Sequence, residues 1–329
     1  MKLSVVVPVY NSEKSLPLLV ERVGRVLLPE NGGIEMVLVN DGSRDRSWAV
    51  IQKLVRTHHW IRGINLMRNC GQHNALLCGI RAARFDAVVT IDDDLQNPPE
   101  EIPELLRKLE EGFDVVYGTA VTGGHGFLRN TASKLTKMTL QKTMGSETAR
   151  SVSAFRAFRT QLREAFSHYQ GAFVSIDVLL TWGTTNFASV PVRNDPRTIG
   201  ASNYTVRKLI VHAMNMMTGF STLPLEVASI MGFIFVLFGF VVLGFVLVRW
   251  LIIGSVVPGF AFLASTISIF SGAQLFAIGV MGEYLARMHT RLMDRPSYVI
   301  REMAGIDDTP AEDLRQLAAA TEEYAGRTV

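Results

Sequence analysis

Residues 1–222 alternate short apolar runs with amphipathic segments. Strands are predicted where the apolar runs are rich in β-branched residues, and helices where apolar residues recur at helical spacing. The predicted strands are Leu3–Val9, Met36–Val39, Gly63–Leu66, Ala87–Ile91 and Asp114–Tyr117. The predicted helices are Lys14–Leu28, Arg46–Thr57, His73–Ala83 and Pro99–Glu111. This alternation is typical of an α/β fold whose mostly parallel sheet is covered on both faces.

A different pattern begins near residue 223. No charged residue occurs in 227–248 or in 250–282, and about 20 apolar residues in a helix are enough to cross a membrane. Two spans joined by a turn that contains Gly254, Pro258 and Gly259 are therefore predicted. Two buried helices of a large soluble core are the alternative, but charge-free runs of this length are rare in such cores.

Basic residues flank the outer ends of the two predicted spans. They are Arg207, Lys208, Arg287, Arg291 and Arg295, whereas the turn has only Arg249 beside it. Because loops rich in Lys and Arg stay in the cytoplasm, both termini are predicted to be cytoplasmic. The predicted organisation is a cytoplasmic domain (1–222), a two-helix transmembrane hairpin (223–285) and a cytoplasmic C-terminal tail (286–329).

Composition changes this picture little. The chain has 329 residues, of which 48% are hydrophobic, and a formal net charge of +3, which is ordinary for a globular protein. The N-terminal segment turns polar after one strand's length, so no signal peptide is predicted. Cys70 and Cys78 match no metal or redox spacing and are predicted to be packing residues.

Polar groups follow four of the predicted strands. They are Pro8–Asn11, Asn40–Ser43, Arg68–Asn69 and Asp92–Asp94. Ligands of parallel sheets bind at the carboxyl ends of the strands, so together these groups predict a nucleotide site. Asn-Asp-Gly-Ser by itself is equally typical of a simple turn. Neither a G-x-G-x-x-G fingerprint nor a P-loop follows the first strand.

Three consecutive carboxylates, Asp92, Asp93 and Asp94, directly follow the predicted strand Ala87–Ile91. Residues two apart on an extended strand point to the same side, so Asp92 and Asp94 are predicted to share a cation while Asp93 points elsewhere. Carboxylate oxygens with open positions for phosphate suit Mg²⁺ or Mn²⁺. Such an ion would neutralise a departing diphosphate. The alternative is a solvated acidic turn that precedes a helix.

The motifs PVYN, NDGS, NCGQH, DDDLQNPP, GAQLFAIGVMGEYLARMH and RPSYVI resemble those of one enzyme group. It comprises the polyprenyl-phosphate glycosyltransferases of glycosyltransferase family 2, including bactoprenol glucosyltransferases, undecaprenyl-phosphate aminoarabinose transferases and dolichyl-phosphate mannose synthases. The resemblance covers residues 1–301. It implies a nucleotide-sugar domain of the GT-A type and inverting transfer of one sugar from a UDP-sugar to polyprenyl phosphate. The setting would be the bacterial cytoplasmic membrane, for cell-envelope glycan or lipid A modification.

The resemblance also assigns roles to single residues. The residues implied to hold the nucleotide are Pro8, Tyr10, Asn11, Asp41, Arg68, Asp93 and Gln96. Asp92 and Asp94 match the family's D-x-D and would be the catalytic, metal-binding pair. The residues implied to face the acceptor phosphate are Arg129, Lys134, Arg197 and Ser202. A homotetramer is also implied, and no nucleic-acid partner is expected.

Basic amphipathic segments support a lipid acceptor independently. In 127–144 the cations Arg129, Lys134, Lys137 and Lys142 surround an apolar stripe, and 204–220 has a second stripe. Such helices lie at membrane interfaces and attract anionic head groups, although core packing explains the second equally well. Arg150 and Ser151 stand about where relatives carry an acidic residue. A phosphate acceptor, with a second pKa of about 6, is already dianionic and attacks without a dedicated base.

Other functions remain to be weighed against the transferase. A non-catalytic, membrane-anchored nucleotide-sugar-binding subunit would account for two cations of the family that this sequence lacks, near Val121 and at Asn203, but it must explain Asp92 and Asp94. A transporter is disfavoured because the two spans contain no charged residue. A processive polysaccharide synthase would have more spans and a Gln-x-x-Arg-Trp motif, which the sequence lacks.

Overall fold

The computed structural model describes residues 1–28, 33–120, 152–170, 174–195, 223–253, 259–293 and 295–305. The chain divides into two units. The first contains Met1–Thr205 and Asp294–Val329, and the second is Val206–Met293.

The first unit is built on an eight-stranded sheet in the order β7-β5-β6-β4-β1-β2-β3-β8. Its strands are β1 (Leu3–Val9), β2 (Ile34–Asn40), β3 (Ile61–Leu66), β4 (Ala87–Thr90), β5 (Val115–Ala120), β6 (Arg156–Arg159), β7 (Phe187–Val192) and β8 (Ile300–Ala304). Its helices are α1 (Leu16–Leu27), α2 (Ser47–Thr57), α3 (Gln72–Ala82), α4 (Ile102–Glu110) and α5 (Ile176–Gly183). Strands β3, β2, β1 and β4 run parallel, as do β5 and β7. The predicted α/β fold with a mostly parallel sheet is confirmed, and the five strands and four helices predicted within residues 1–120 are all present.

The sheet is buried on both faces because helices cover both. All seven residues of β1 are buried, and each fully buried valine stabilises the fold by about 1.5–3 kcal/mol. The odd-numbered residues of β1 join α1 and α4 in one apolar cluster. On the other face α3 lies so close that a Cβ added at Gly79 would be 2.4 Å from Cγ1 of Val6.

Strands β6 and β8 were not predicted from the sequence. β6 lies antiparallel between β4 and β5, and β8 pairs antiparallel with the outer edge of β3. Both are short, and both contain arginine, which interrupts the apolar run by which a buried strand is usually recognised. The segment predicted as a C-terminal tail, 286–329, is therefore not separate throughout, since residues 300–304 belong to the sheet.

The second unit contains two long helices, α6 (Leu223–Ile253) and α7 (Phe260–Leu292). By length and composition, Leu225–Arg249 and Ile269–Thr290 are each able to cross a membrane, and neither is buried within the structure. The helices contact each other through Phe270, whose ring centroid is 5.7 Å from that of Phe235. Helix α6 ends at Ile253 and α7 begins at Phe260, so the two helices lie on either side of the predicted turn.

Candidate active site

The carboxyl ends of β1, β2, β3 and β4 meet at one edge of the sheet, as the strand order predicts. The N–H of Asp41, after β2, donates to the carbonyl of Val9 at the end of β1 (2.9 Å). Within the sheet, Asn40 Nδ2 donates to Asn65 Oδ1 (2.7 Å), which aligns the ends of β2 and β3. The four polar segments therefore form a single site.

The loop after β1 carries the exposed aromatic ring of the site. Tyr10 is 42% exposed, and an open aromatic face is a platform on which a nucleobase can stack. Asn11 has a left-handed backbone (φ 56°), and its Oδ1 accepts from the N–H of Arg44 (2.8 Å). Its own N–H donates to Ser43 Oγ (3.0 Å). These bonds fasten the Tyr10 loop to the loop after β2, whereas Pro8 is buried within β1.

Asp41 connects the loops after β2 and β3. Its carboxylate accepts from the N–H groups of Cys70 (2.6 Å) and Gly71 (2.9 Å), and only 3% of the residue is exposed. Burial raises the pKa of Asp41, and these two bonds oppose the rise. The Asp41 carboxylate is thus held by backbone groups of the loop after β3. The side chain of Arg68, in the same loop, is exposed.

The acidic loop begins earlier than predicted, because β4 ends at Thr90. Asp92–Asp94 lie in a turn, and Leu95 is left-handed (φ 62°), so the alternation of an extended strand does not orient these carboxylates. Asp93 nevertheless points to a separate partner, since its Oδ2 accepts from the Tyr10 N–H (3.1 Å) and from the Ser12 hydroxyl.

The other two carboxylates have partners of their own. Asp92 Oδ1 accepts from Gln72 Nε2 (2.6 Å), and Asp94 Oδ1 accepts from the N–H of Gln96 (3.1 Å). The carbonyl of Gln96 in turn accepts from the N–H of Asp195 (2.8 Å), so the segment after β7 is joined to the acidic loop. Each carboxylate is held by a different element of the fold.

Electrostatic repulsion within this loop is strong. Burial, followed by the charges of Asp94 and Asp93, raises the pKa of Asp92 to about 7. Burial also raises the pKa of Asp93. A cation at Asp92 and Asp94 would relieve the repulsion, and their oxygens are the donors that Mg²⁺ and Mn²⁺ take. Within the described parts of the chain no three His, Cys, Asp or Glu side chains form a metal-binding group. The pair fits an ion whose remaining ligands are water or phosphate oxygens.

The sequence analysis missed several polar residues around the loop. Gln72, the first residue of α3, lies inside a quoted motif but was given no role, and Ser12 was also given none. A buried group of Tyr117, Arg156 and Asp177 was missed entirely. A charged residue inside an apolar run, such as Asp177 in SIDVLL, is the signal that could have marked it.

The residues predicted to bind the acceptor phosphate, namely Arg129, Lys134, Arg197 and Ser202, lie outside the described residues. The same holds for the basic segments 127–144 and 204–220, for Arg150 and Ser151, and for Gly254 and Pro258 of the predicted turn.

The mostly parallel sheet with an acidic loop at the carboxyl ends of its strands is a GT-A-like fold. The model of the family described as "Glycosyl transferase family 2" matches residues 4–169. The chain belongs to glycosyltransferase family 2, which confirms the resemblance of its motifs.

Relatives extend this similarity to the whole chain. The undecaprenyl-phosphate 4-deoxy-4-formamido-L-arabinose transferase of Photorhabdus laumondii subsp. laumondii is 34% identical over 94% of this chain and 96% of that protein. The transferase of the same name from Yersinia enterocolitica is 33% identical over 94% of this chain and 95% of that protein. Among solved structures, glucosyl-3-phosphoglycerate synthase from Mycobacterium tuberculosis, in complex with Mn²⁺ and UDP-glucose, has a TM-score of 0.49 at 19% identity, covering 66% and 77% of the two chains.

Proposed function

We propose that this glycosyltransferase moves one sugar from a UDP-sugar to a polyprenyl phosphate at the cytoplasmic face of a bacterial inner membrane, with inversion at the anomeric carbon. The observation that carries the proposal is the acidic loop at the ends of four strands, in a chain that also contains two helices able to cross a membrane. The relatives named as undecaprenyl-phosphate sugar transferases, aligned over 94% of the chain, support the acceptor.

The nucleotide would bind along the loops after β1, β2 and β3. The exposed ring of Tyr10 offers a face for the uracil, and the exposed guanidinium of Arg68 lies on the same edge of the sheet. Asn11 and Asp41 would contribute chiefly by fixing the loops, because both already bond backbone groups there. Donor binding would therefore depend on a rigid junction between the three loops.

Asp92 and Asp94 would hold Mg²⁺ or Mn²⁺. When bound, such an ion neutralises charge on a leaving diphosphate. Gln72 fixes the Asp92 carboxylate, and the Gln96 N–H fixes that of Asp94. Asp93 takes a different part, because it anchors the Tyr10 loop through the Tyr10 N–H and Ser12. The enzyme would then act by positioning and electrostatics.

The acceptor phosphate would be held by Arg129, Lys134, Arg197 and Ser202, as the family resemblance implies. Because a phosphate monoester with a second pKa of about 6 is mostly dianionic at neutral pH, it needs no proton removed before it attacks. Two membrane spans, cytoplasmic termini and a homotetramer complete the proposal. The sugar-linked lipid would serve modification of the cell envelope, such as that of lipid A.

The proposal is tested by transfer of label with purified protein in detergent. The assay contains undecaprenyl phosphate, a panel of radiolabelled UDP-sugars and Mn²⁺ or Mg²⁺, followed by organic extraction. Label should enter the organic phase only with metal, and Asp94→Asn should abolish transfer. Glu104→Gln is the matched control, because Glu104 pairs with Arg107 on the surface of α4 (2.7 Å) and its loss should leave transfer intact.

Two results would contradict the proposal. Transfer by Asp94→Asn at the wild-type rate would remove the metal site from the mechanism. Metal-dependent UDP binding without transfer from any donor would instead favour the non-catalytic nucleotide-sugar-binding subunit, with the departures from the family at Val121, Arg150 and Asn203 as the cause.

A further inference from the structure

A buried ion pair occupies the interior of the first unit next to the acidic loop. Arg156 in β6 is 1% exposed, and its Nη1 donates to Oδ1 of Asp177 in α5. The hydroxyl of Tyr117 in β5 donates to the same oxygen (3.2 Å). The guanidinium also lies over the Tyr117 ring, 5.9 Å from its centroid. Three elements of the fold thus fix one buried positive charge.

The position of Arg156 relative to the acidic loop follows from the strand register. Arg156 pairs with Thr90, the last residue of β4, so it lies across from the backbone that leads into Asp92. Thr90 Oγ1 donates to the Ala154 carbonyl (2.6 Å), which fixes the start of β6 against that end of β4. The charge of Arg156 is close enough to lower the pKa of Asp92, against the larger effects of burial and of the other two carboxylates.

Arg156 therefore has two carboxylates within its electrostatic reach, Asp177 and Asp92. A buried guanidinium without a partner is strongly destabilised, so removal of Asp177 would drive Arg156 towards Asp92. An ion pair between Arg156 and Asp92 would occupy the oxygens that a divalent cation needs. The bond to Asp177 prevents this exchange of partners.

We infer that Asp177 is a positioning residue of the transferase: it retains the Arg156 guanidinium beside the acidic loop and so leaves the Asp92 carboxylate available to a divalent cation. This inference rests on the proposed function, which places the cation at Asp92 and Asp94. It assigns Asp177 no contact with the substrate. Tyr117 supports the same arrangement through its hydroxyl.

The test measures Mn²⁺ binding by the full chain in detergent, without donor or acceptor, from the electron paramagnetic resonance signal of free Mn²⁺. Asp177→Asn should weaken Mn²⁺ binding about tenfold, since a released positive charge acts within a few ångströms of the site. The double variant Arg156→Gln with Asp177→Asn should bind Mn²⁺ within about threefold of the wild type, because no guanidinium remains to compete. Because replacing both partners of a buried pair can also restore folding, Mn²⁺ binding is compared at a temperature at which melting curves show every variant folded.

A milder variant keeps the test decisive if Asp177→Asn does not fold. Tyr117→Phe keeps Asp177 but removes one of the hydrogen bonds that fix its carboxylate against Arg156. It should weaken Mn²⁺ binding by about threefold and lower the melting temperature by only a few degrees. Unchanged Mn²⁺ binding in Tyr117→Phe and Asp177→Asn would overturn the inference. So would a double variant that binds Mn²⁺ no better than Asp177→Asn.

The transfer assay separates this inference from the proposed function. If the wild type transfers sugar and Asp177→Asn binds Mn²⁺ as tightly as the wild type does, the inference alone is rejected. If Asp177→Asn binds Mn²⁺ more weakly than the wild type and the double variant restores binding, but no UDP-sugar gives transfer, the proposed reaction is rejected. The role of Asp177 in cation binding then still holds. A wild type that binds no Mn²⁺ would overturn both.

Discussion

At Gly42 both the fold and the proposed nucleotide site depend on a missing side chain. Its backbone is left-handed (φ +61°), and a Cβ there would lie 2.5 Å from the Asn69 nitrogen and 2.7 Å from the Arg68 carbonyl carbon. Both are backbone atoms, which cannot rotate away as the end of a side chain can. Gly42→Ala therefore forces apart the loops after β2 and β3, which carry Asp41 and Arg68.

The size of the effect can be worked out in two parts. The left-handed conformation costs an alanine about 1–2 kcal/mol, and the overlap costs about 1–3 kcal/mol more, as in other overpacked sites. Gly112→Ala is a matched control, because Gly112 also has a positive φ (+108°) but nothing within 4 Å of its added Cβ. Replacing glycine by alanine also lowers the conformational entropy of the unfolded chain. This effect is the same in both variants and cancels when they are compared.

Thermal unfolding of the full chain in detergent, with and without UDP, measures both consequences. Each kcal/mol lowers the melting temperature of a unit this size by about 2–4 °C. Gly42→Ala should therefore melt below Gly112→Ala, by up to about 12 °C, because only at Gly42 does the added Cβ overlap backbone atoms. UDP should raise the melting temperature of the control but not of Gly42→Ala. Equal melting temperatures and equal UDP responses would refute the argument that the loop junction requires glycine.

Three further outcomes are expected. Burial alone would raise the pKa of Asp45, but hydrogen bonds from Ser47 and the Glu13 N–H lower it below 3.8. Since a depressed carboxyl pKa stabilises the fold above the unfolded pKa, Asp45→Asn should lower the melting temperature at neutral pH, and the difference from wild type should vanish in acid below pH 3.8. Burial raises the pKa of Cys78 to about 12, so mass spectrometry should find it alkylated only after denaturation. Ser12→Ala removes a hydrogen bond to the Asp93 carboxylate, so it should cost about 1.5–3 kcal/mol in urea unfolding and weaken UDP binding.

Local sequence pattern predicted the central strands because their burial is complete. A run such as Leu3–Val9, buried at every position, has few alternatives to a central strand. The meeting of the polar groups at one edge followed from topology, because parallel strands present their carboxyl ends together. The partners of Asp92 and Asp93 did not follow, since a turn replaces the expected strand extension after Thr90.

Long-range pairing accounts for most of what the sequence could not predict. The burial of Arg156 depends on Asp177, 21 residues away and on another element. β8 forms a strand because it pairs with the outer edge of β3. The hydrogen bond from Asn65 to Glu302 joins residues 237 positions apart. The residues next to Arg156 and Glu302 in the sequence do not show whether either charged side chain is buried or exposed to solvent.

The return of the chain to the sheet at β8 also imposes an order in time. Because β8 follows α6 and α7 in sequence, both long apolar helices have been synthesised before the edge of β3 can be closed. At a synthesis rate of about 5–20 residues per second, the 237 positions between Asn65 and Glu302 correspond to a delay of roughly 10–50 s. During that interval β3 has an unpaired edge of the kind that recruits other strands. The edge of β3 is thus closed only after both long helices have been synthesised, which makes pairing with β8 a late step in the folding of the first unit.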